Sequence, residues 1–554
     1  MADKKEWTIM VYMAGDNNLS DDMITGLIGM KNHFEKRDDI ALLAYYDGGT
    51  PTVDTIYVDF TDSDGSKKIY NRTTTLGCEP KIEYRKEEGT SYYSICNFVE
   101  WCKKQQPADK YALIFSGHSD VFVQSALFID ETSYSYLSVQ EFRRIMQNVS
   151  KILEKDKIDV LGFDSCAMNT LEVGYELRNV ASMMVGSQGN VPGMGWDYGK
   201  IVKNLDNSTK KLKKEDVAEI LVESFAETNE DYARFGGRSI DIAGCDLGEM
   251  KKVSKAVNQL SKNLETALKD SRVGKQTKQI ILTSHWECQT YQFDQAIDIL
   301  DFCEILRKEC KNRDNKKLKA VSKTCEKVIA AIKKCVKYNK FLGPEVQYSN
   351  GISLFFPWSC ISYAMTRGRY LDLEFPYGEE IEFDKEGNPR RKNDEKNPDG
   401  LINYLTEKKS DWVRFLDFYL LETMREGRKK SRSADPQTLY GADISGVSDD
   451  NKKRFLVAPG LGEIEAVSGN GTKGNAIYDR PRGNAIYDRP RGNSIYDRPR
   501  GNSIYDRPRG NSIYDRPRGN SIYDRPRGIN MKTVEDFRRM KNFPWSIRIW
   551  DDKD

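Results

Sequence analysis

The first half of this chain alternates short apolar segments with amphipathic ones, and this alternation constrains the fold most strongly. Short apolar segments that end in loop-forming residues are typical of buried strands. Strand–helix–strand repetition predicts an α/β fold with a mostly parallel sheet covered by helices on both faces. The predicted strands are Thr8–Ala14, Ile40–Tyr46, Tyr111–Phe115, Ile158–Phe163 and Ser182–Gly186.

The helices are predicted from apolar residues that repeat with the helical period. Ser138 and Glu141 have the spacing of a capping box, which begins a helix at that point. Later in the chain, Ser239–Ala243 and Gly351–Phe356 are predicted to form a strand pair. The other predicted helices are Ser91–Gln105, residues 168–178, Lys214–Asn229, Leu247–Ser271, Leu318–Asn339 and Asp411–Thr423.

Six copies of the nonapeptide GN(A/S)IYDRPR occupy residues 474–527. One Ile and one Tyr per copy provide too little apolar surface for independent folding, which predicts disorder. We therefore predict a folded domain over residues 1–425, followed by a basic linker and weakly patterned segment over 426–473. After the repeats, residues 528–554 end in a segment that alternates like a strand, which favours its docking on the folded domain.

The charge balance argues against a generally basic nucleic-acid-binding protein. The chain has 86 Lys and Arg against 84 Asp and Glu, a net charge of +2. Each repeat carries two Arg and one Asp, so the six repeats contribute +6 and the rest of the chain carries −4. No apolar run approaches the roughly 20 residues of a membrane span. Without a recognisable secretory signal, we expect a cytoplasmic protein.

The cysteines and histidines do not have the pattern of a metal site. The eleven Cys residues are irregularly spaced without a CxxC motif, and the chain has three His residues. This composition argues against a zinc site or a histidine metal cluster, and no cofactor is predicted. Reduced thiols are expected in the cytoplasm.

Polar residues follow two of the predicted strands. Ser116-Gly117-His118 comes after one strand, and Asp164-Ser165-Cys166 comes after another. Reactive groups of parallel sheets gather at the carboxyl ends of the strands, where a Cys and a His supply a nucleophile and a proton-transfer partner. Cys166 also directly precedes a predicted helix, whose N-terminal dipole favours a thiolate. The alternative is a packed thiol and an unrelated loop histidine.

The residues around this pair resemble the clostripain family of cysteine endopeptidases, which belongs to the caspase-like clan. The matching segments follow the family's order and together span about residues 7–420. The resemblance implies a caspase-like three-layer αβα sandwich with thiol-protease activity. The segments are WTIMVYMAGDNNL (7–19), LIFSGH (113–118), LGFDSCAMNTLEVGYEL (161–177), PGMGWDY (192–198), SIDI (239–242) and GISLFFP (351–357).

The resemblance also implies a role for each site residue. Cys166 matches the family nucleophile and His118 its catalytic partner, and the backbone N–H groups of Gly117, Ser119 and Cys166 are the implied oxyanion donors. Asp164 matches the acid at the base of the pocket that receives the side chain before the cut bond. A carboxylate there pairs with a cation, so the implied substrates are proteins or peptides with Arg or Lys at that position. The alternative for Asp164 is a turn-forming residue.

The sequence departs from the family pattern at two positions of the site. Ser119 stands where the family usually has Gly, which restricts the backbone of the oxyanion turn. Gln188, a predicted substrate-binding residue, is neutral where an acidic residue is expected, which predicts a weaker or narrower preference for cations. Some relatives depend on calcium, but the sequence has no EF-hand pattern.

Family members are often matured by a cut between the His and Cys segments. The first basic residues between these segments are Arg143 and Arg144, which lie in a predicted helix, and the loop 119–137 has none. We therefore expect an unprocessed single chain. The basic linker 425–432 is the more accessible alternative site of cutting.

The repeats have three interpretations. In the first, the repeats arose by slippage-driven expansion and have no function. For an Arg-directed protease, the Arg-Gly bond of each repeat is a candidate self-cleavage site. Alternatively, the Arg and Tyr residues bind a partner or nucleic acid, as in a catalytically silent scaffold. The candidate sites follow Arg482, Arg491, Arg500, Arg509, Arg518 and Arg527.

Overall fold

The computed structural model divides the chain into two units, Met1–Lys430 and Ser431–Asp554. In the first unit it describes residues 4–48 except 36, 55–61, 81–85, 92–121, 126–130 and 135–358, the last range with short gaps at 207, 209–210, 231–232, 235–236, 292–294 and 312. It further describes 362–363, 366, 370, 381–383, 389–391 and 411–422. In the second unit it describes residues 488–489 and 493–494, which form an antiparallel strand pair.

A nine-stranded sheet forms the centre of the first unit, with the order β14-β11-β10-β9-β5-β1-β2-β3-β4. Three smaller sheets contain β6–β8, the pair β16–β17, and β12, β13 and β15. The strands are β1 Lys5–Gly15, β2 Ile40–Gly48, β3 Thr55–Asp59, β4 Lys81–Arg85, β5 Ala108–Ser116, β6 Ser119–Asp120, β7 Ala126–Asp130, β8 Ser135–Leu137, β9 Ile158–Asp164, β10 Ala181–Gly186, β11 Ile240–Asp246, β12 Thr290–Tyr291, β13 Ala296–Asp298, β14 Val336–Leu342, β15 Ser353–Phe355, β16 Ile381–Phe383 and β17 Pro389–Arg391.

The five central strands of the large sheet, β2, β1, β5, β9 and β10, are parallel. Their side chains are buried on both faces, which explains why they read as continuous apolar segments. The outer strands on each side pair antiparallel. The predicted mostly parallel central sheet is therefore confirmed.

Helices cover both faces of this sheet. One face packs against α1, α5 and α6 in a single apolar core that includes alternate residues of β1, among them Ile9 and Val11. On the other face the rings of Tyr12 and Phe115 contact Phe98 of α2 and Phe142 of α3. The result is the expected three-layer αβα arrangement. The helices are α1 Ser20–His33, α2 Tyr92–Gln105, α3 Val139–Ile152, α4 Leu171–Leu177, α5 Tyr198–Asp206, α6 Lys214–Thr228, α7 Met250–Leu268, α8 Gly274–Glu287, α9 Ile299–Lys311, α10 Lys316–Cys335 and α11 Asp411–Leu416, the last continued by a π-helical turn, Asp417–Glu422.

The capping box predicted at the start of α3 is present. The Oγ atom of Ser138 accepts a hydrogen bond from the N–H of Glu141 (3.2 Å), and the Glu141 carboxylate accepts one from the N–H of Ser138 (2.9 Å). The apolar stripe that follows is buried, including Phe142 and Val149. Local sequence signals therefore determine where this helix begins and which face it buries.

Two predictions in the second half are wrong. The helix predicted over Leu318–Asn339 ends at Cys335, and Val336–Leu342 forms the strand β14 instead, because its backbone pairs with β11. The predicted pairing of Ser239–Ala243 with Gly351–Phe356 is also absent. The first segment lies in β11, which pairs with β10 and β14, whereas β15 pairs with β13 in a separate sheet. An alternating pattern identifies a strand but not its partner.

Most of the predicted C-terminal organisation lies outside the described residues. This applies to the linker 426–473, to the repeats except for the paired positions 488–489 and 493–494, and to the docking of 528–554. Among the helices that the structure describes, none combines the length and the apolar character needed to cross a bilayer.

The capping box provides a test of the fold. We expect Ser138→Ala to lower the free energy of unfolding by about 1 kcal/mol, because the N–H of Glu141 loses the hydroxyl that caps it at the start of α3. Glu141→Gln is the matched control, since its side-chain oxygen still accepts from Ser138, and we expect a smaller loss. Urea unfolding followed by circular dichroism measures both; equal losses would contradict the capping role of the hydroxyl.

Candidate active site

The pairing of β5 with β9 brings the two predicted catalytic segments together. Ser116 lies opposite Asp164 in the parallel register, and the N–H of Gly117 donates to the carbonyl of Asp164 (3.3 Å). His118 and Cys166 each lie two positions beyond this pair, at the carboxyl ends of neighbouring strands. The hydroxyl of Ser119 donates to the carbonyl of Cys166, which joins the two segments once more.

The thiol of Cys166 lies against a loop that follows β10. Its Sγ atom accepts a hydrogen bond from the backbone N–H of Val191 (3.3 Å). Burial raises the pKa of the Cys166 thiol, the bond from Val191 lowers it, and the nearby carboxylates of Asp164, Asp120 and Asp241 raise it further. The thiolate is therefore disfavoured at rest and needs a positive partner.

The predicted helix dipole at Cys166 is not supported by the structure. The chain turns at Ala167, which has a left-handed φ of +54°, and α4 begins only at Leu171. Thr170 caps that helix by accepting the N–H of Val173 (3.1 Å). Four residues separate the thiol from the helix, and the dipole effect falls off within about one turn.

Buried hydrogen bonds fix the loop that contacts the thiol. The carbonyl of Gly189 accepts the N–H of Ala167 (2.8 Å), so the loop is bonded to the residue directly after the nucleophile. The carboxylate of Asp241 in β11 accepts the N–H groups of Gln188 (2.7 Å) and Gly189 (2.9 Å). Burial raises the pKa of Asp241 to about 6, although the two hydrogen bonds from Gln188 and Gly189 lower it. A buried acid thus holds the loop that presents Val191 to the thiol.

Gln188, predicted to bind substrate, lies inside this network and is 1% exposed. Its side-chain N–H donates to Asp298 (3.0 Å). Its side-chain oxygen accepts from the Ser349 hydroxyl (2.8 Å), the Gly351 N–H (2.7 Å) and the Tyr291 hydroxyl (3.2 Å). A direct contact with substrate would require this network to open.

Asp164 lies beneath the site with a side chain bonded to neutral groups. Its Oδ2 atom accepts from the hydroxyls of Ser116 (2.9 Å) and Tyr198 (2.9 Å), and the residue is 4% exposed. Burial raises the pKa of Asp164 to about 6, while hydrogen bonds from the backbone of Trp196, from Tyr198 and from Ser116 lower it. Within the described part of the chain, no cationic side chain is paired with this carboxylate.

Gly195 covers the Asp164 carboxylate. It adopts a left-handed φ of +66°, and a Cβ atom at this position would lie 2.6 Å from Oδ2 of Asp164. A side chain would therefore collide with the carboxylate, which explains the second glycine in the segment PGMGWDY.

One of the three predicted oxyanion donors, the N–H of Gly117, is already used in the structure. The N–H of Gly117 is occupied by the carbonyl of Asp164, so it belongs to the strand pairing. The N–H groups of Ser119 and Cys166 stay as predicted donors. The Ser119 hydroxyl also donates a hydrogen bond to the carbonyl of Cys166. The side chain that was expected to restrict the backbone of this turn therefore also stabilises it.

Asn18 carries no predicted role, yet its side chain contacts His118. The distance from Oδ1 of Asn18 to Nε2 of His118 is 2.5 Å. The available signal was its position three residues after the end of β1, the strand that pairs with β5 on the side opposite β9. No metal site accompanies this group: in the described ranges no three side chains of His, Cys, Asp or Glu are grouped as metal ligands.

Comparisons with known proteins agree with the motifs. The model of the clostripain family, Peptidase C11, matches residues 11–380. Clostripain from Hathewaya histolytica is 26% identical over 401 residues, which cover 63% of this chain and 74% of clostripain. A secreted C11 cysteine protease from Bacteroides thetaiotaomicron, solved with an irreversible peptide inhibitor, is 16% identical, with a TM-score of 0.46 over 64% of this chain and 93% of that one. An inactive zymogen C11 protease from Parabacteroides distasonis is 17% identical, with a TM-score of 0.43 over the same shares. The chain belongs to the clostripain family of cysteine proteases, and is therefore a hydrolase.

Proposed function

We propose that this cysteine protease cleaves after Arg or Lys, with Cys166 as the nucleophile and His118 as its proton-transfer partner. The observation that carries the proposal is the Asp164 carboxylate, which is buried two residues before the thiol with only neutral partners among the described residues. A buried carboxylate without a cation gains much from a cationic ligand, because its desolvation is then compensated.

The proposed reaction is an acyl transfer through the thiol. Sγ of Cys166 attacks the carbonyl carbon before the cut bond, and the oxyanion accepts from the N–H groups of Ser119 and Cys166. The C–N bond then breaks as the imidazolium of His118 gives its proton to the leaving amine. Water hydrolyses the resulting thioester, and its proton returns to His118.

The proposed pocket at Asp164 would favour Arg or Lys for an electrostatic reason. In a site of low dielectric, an ionised carboxylate binds a guanidinium or ammonium far better than a neutral side chain. The hydroxyls of Ser116 and Tyr198 orient the carboxylate without neutralising it. A side chain such as Asp would place two like charges together, which disfavours it.

Ion pairing of Arg143 supports a single-chain working form. Arg143 lies within α3 and contacts the buried carboxylate of Glu176 in α4 (3.1 Å). A protease needs an extended backbone to cut, so a helical and ion-paired arginine is a poor site. Residues 119–137 offer no Arg or Lys, so a cut within that loop is not available to a protease of the proposed specificity.

The repeats are proposed as a tethered substrate of this site. Their Arg-Gly bonds fit the proposed specificity, whereas the Arg-Pro bonds resist cutting because Pro follows the arginine. A tether of this kind gives an effective concentration of order mM. Binding of the repeats to a partner or nucleic acid, the alternative role, would be independent of Cys166.

The specificity is tested with fluorogenic peptides that carry Arg, Lys or Asp before the reporter. We expect cleavage after Arg or Lys and none after Asp, and a loss of at least about 10³-fold in kcat for Cys166→Ala, because the acyl-enzyme cannot form. Cleavage after Asp, or a Cys166→Ala variant with full activity, would overturn the assignment.

The role of Asp164 is tested by comparing Arg with citrulline, its neutral isostere. We expect the Arg-to-citrulline ratio of kcat/KM to be high at pH 8 and to fall as the pH drops through about 6. Below that pH the carboxyl is protonated and no longer attracts the cation. Titration of the thiol and imidazole cancels in the ratio. Asp164→Asn should lower the ratio on the order of 10²-fold and make it independent of pH. If the ratio measured for Asp164→Asn still varied with pH, Asp164 would not be the group that binds the cationic side chain.

Cutting of the repeats is tested by intact mass spectrometry of the incubated protein. We expect a ladder of fragments that differ by one nine-residue repeat and end at the six candidate arginines, and no ladder for Cys166→Ala. Adding active protein to Cys166→Ala separates cutting within one chain from cutting between chains. Absence of the ladder, together with higher activity on truncation after Lys473, would instead indicate a tethered inhibitor.

A further inference from the structure

We propose that Asn18 is a positioning residue that holds the imidazole of His118 in one tautomer and one orientation, with its proton on Nε2. The proposal extends the function above and rests on the proposed roles of Cys166 and His118. Asn18 lies 100 residues before His118 in the sequence, on a loop that neither strand of the Cys166–His118 pair carries.

The loop after β1 is built to present Asn18. The side chain of the preceding residue, Asn17, is buried and donates to the carbonyls of Ala14 (2.9 Å) and Ile129 (2.9 Å). Its Oδ1 atom accepts the N–H of Leu19 (3.0 Å). These bonds fix the backbone on both sides of Asn18, so its exposed side chain starts from a fixed point beside the end of β5.

The backbone of His118 is fixed as well. Its carbonyl accepts the N–H of Phe128 (2.7 Å), and its neighbour Ser119 is bonded to Cys166. Rotation about the two side-chain bonds is then what sets the position of the ring. The 2.5 Å contact with Asn18 restrains this rotation at the Nε2 end.

The chemistry of the amide oxygen determines the tautomer. Oδ1 of Asn18 accepts but cannot donate, so Nε2 must carry the hydrogen that joins them. In the neutral ring the lone pair then resides on Nδ1. Nδ1 takes the proton of the Cys166 thiol, and the imidazolium gives it from Nδ1 to the leaving amine as the C–N bond breaks. Because the amide is neutral, it orients the ring without the added basicity that a carboxylate provides.

The inference is tested with two substitutions at Asn18 and a control. Asn18→Leu has nearly the same shape but no acceptor, and we expect kcat to fall about 10- to 100-fold with KM unchanged. Asn18→Asp keeps the acceptor, so we expect most of kcat to return. Its charge stabilises the imidazolium, which should move the acidic limb of the kcat/KM profile, where His118 becomes the neutral base, to higher pH. Asn148→Leu, a half-buried asparagine on α3 away from the site, should leave kcat and the profile unchanged.

The tautomer is measured directly by nitrogen NMR, since the chain has only three His residues. We expect the wild-type His118 to show a protonated Nε2 and an unprotonated Nδ1 near pH 8, and Asn18→Leu to lose this preference. A proton on Nδ1 in the wild type, or an Asn18→Leu variant with normal kcat and pH profile, would overturn the inference. If Cys166→Ala is inactive in that case, the proposed function stands and only the role of Asn18 fails; an active Cys166→Ala would instead overturn the proposed function.

Discussion

Parallel pairing of β5 with β9 is the constraint on which the site depends. The register that sets Ser116 opposite Asp164 places His118 and Cys166 each two residues beyond this pair, at the same edge of the sheet. The neighbouring strands β1 and β10 end at the same edge and supply Asn18 and the loop that carries Val191. Four loops that follow four parallel strands therefore meet at one edge of the sheet, and the strand order alone brings them together.

Buried carboxylates with neutral partners recur around this edge. Asp164 and Asp241 have pKa values raised to about 6, and Asp298 has one raised to about 7, in each case mainly by burial. Each binds its proton more tightly in the folded than in the unfolded protein. The ionised forms therefore cost stability as the pH rises from about 4 through these values. Asp241 and Asp298 hold the loop beside the thiol, whereas Asp164 is the carboxylate proposed to pair with a cationic side chain of the substrate.

The parts of the site that sequence reasoning predicted are those marked by local patterns. His118, Cys166 and Asp164 follow apolar strands at the edge where parallel sheets collect reactive groups. The contact between Asn18 and His118 could not be predicted, because it joins two loops whose separation in space depends on strand order. The burial of Gln188 was missed for the same reason, since its partners lie on β13 and on the loop before β15.

The sequence alone determined the α/β fold, the start of α3 at its capping box, and the strand ends that carry the thiol and the imidazole. These features follow from periodicity and from hydrogen bonds between residues near each other in the chain. Only the tertiary structure decided that the chain after Cys335 becomes a strand, that α4 begins too late to act on Cys166, and that Asn18 contacts His118. Each of these depends on which distant segment supplies the hydrogen-bonding partner, and periodicity carries no information about that partner.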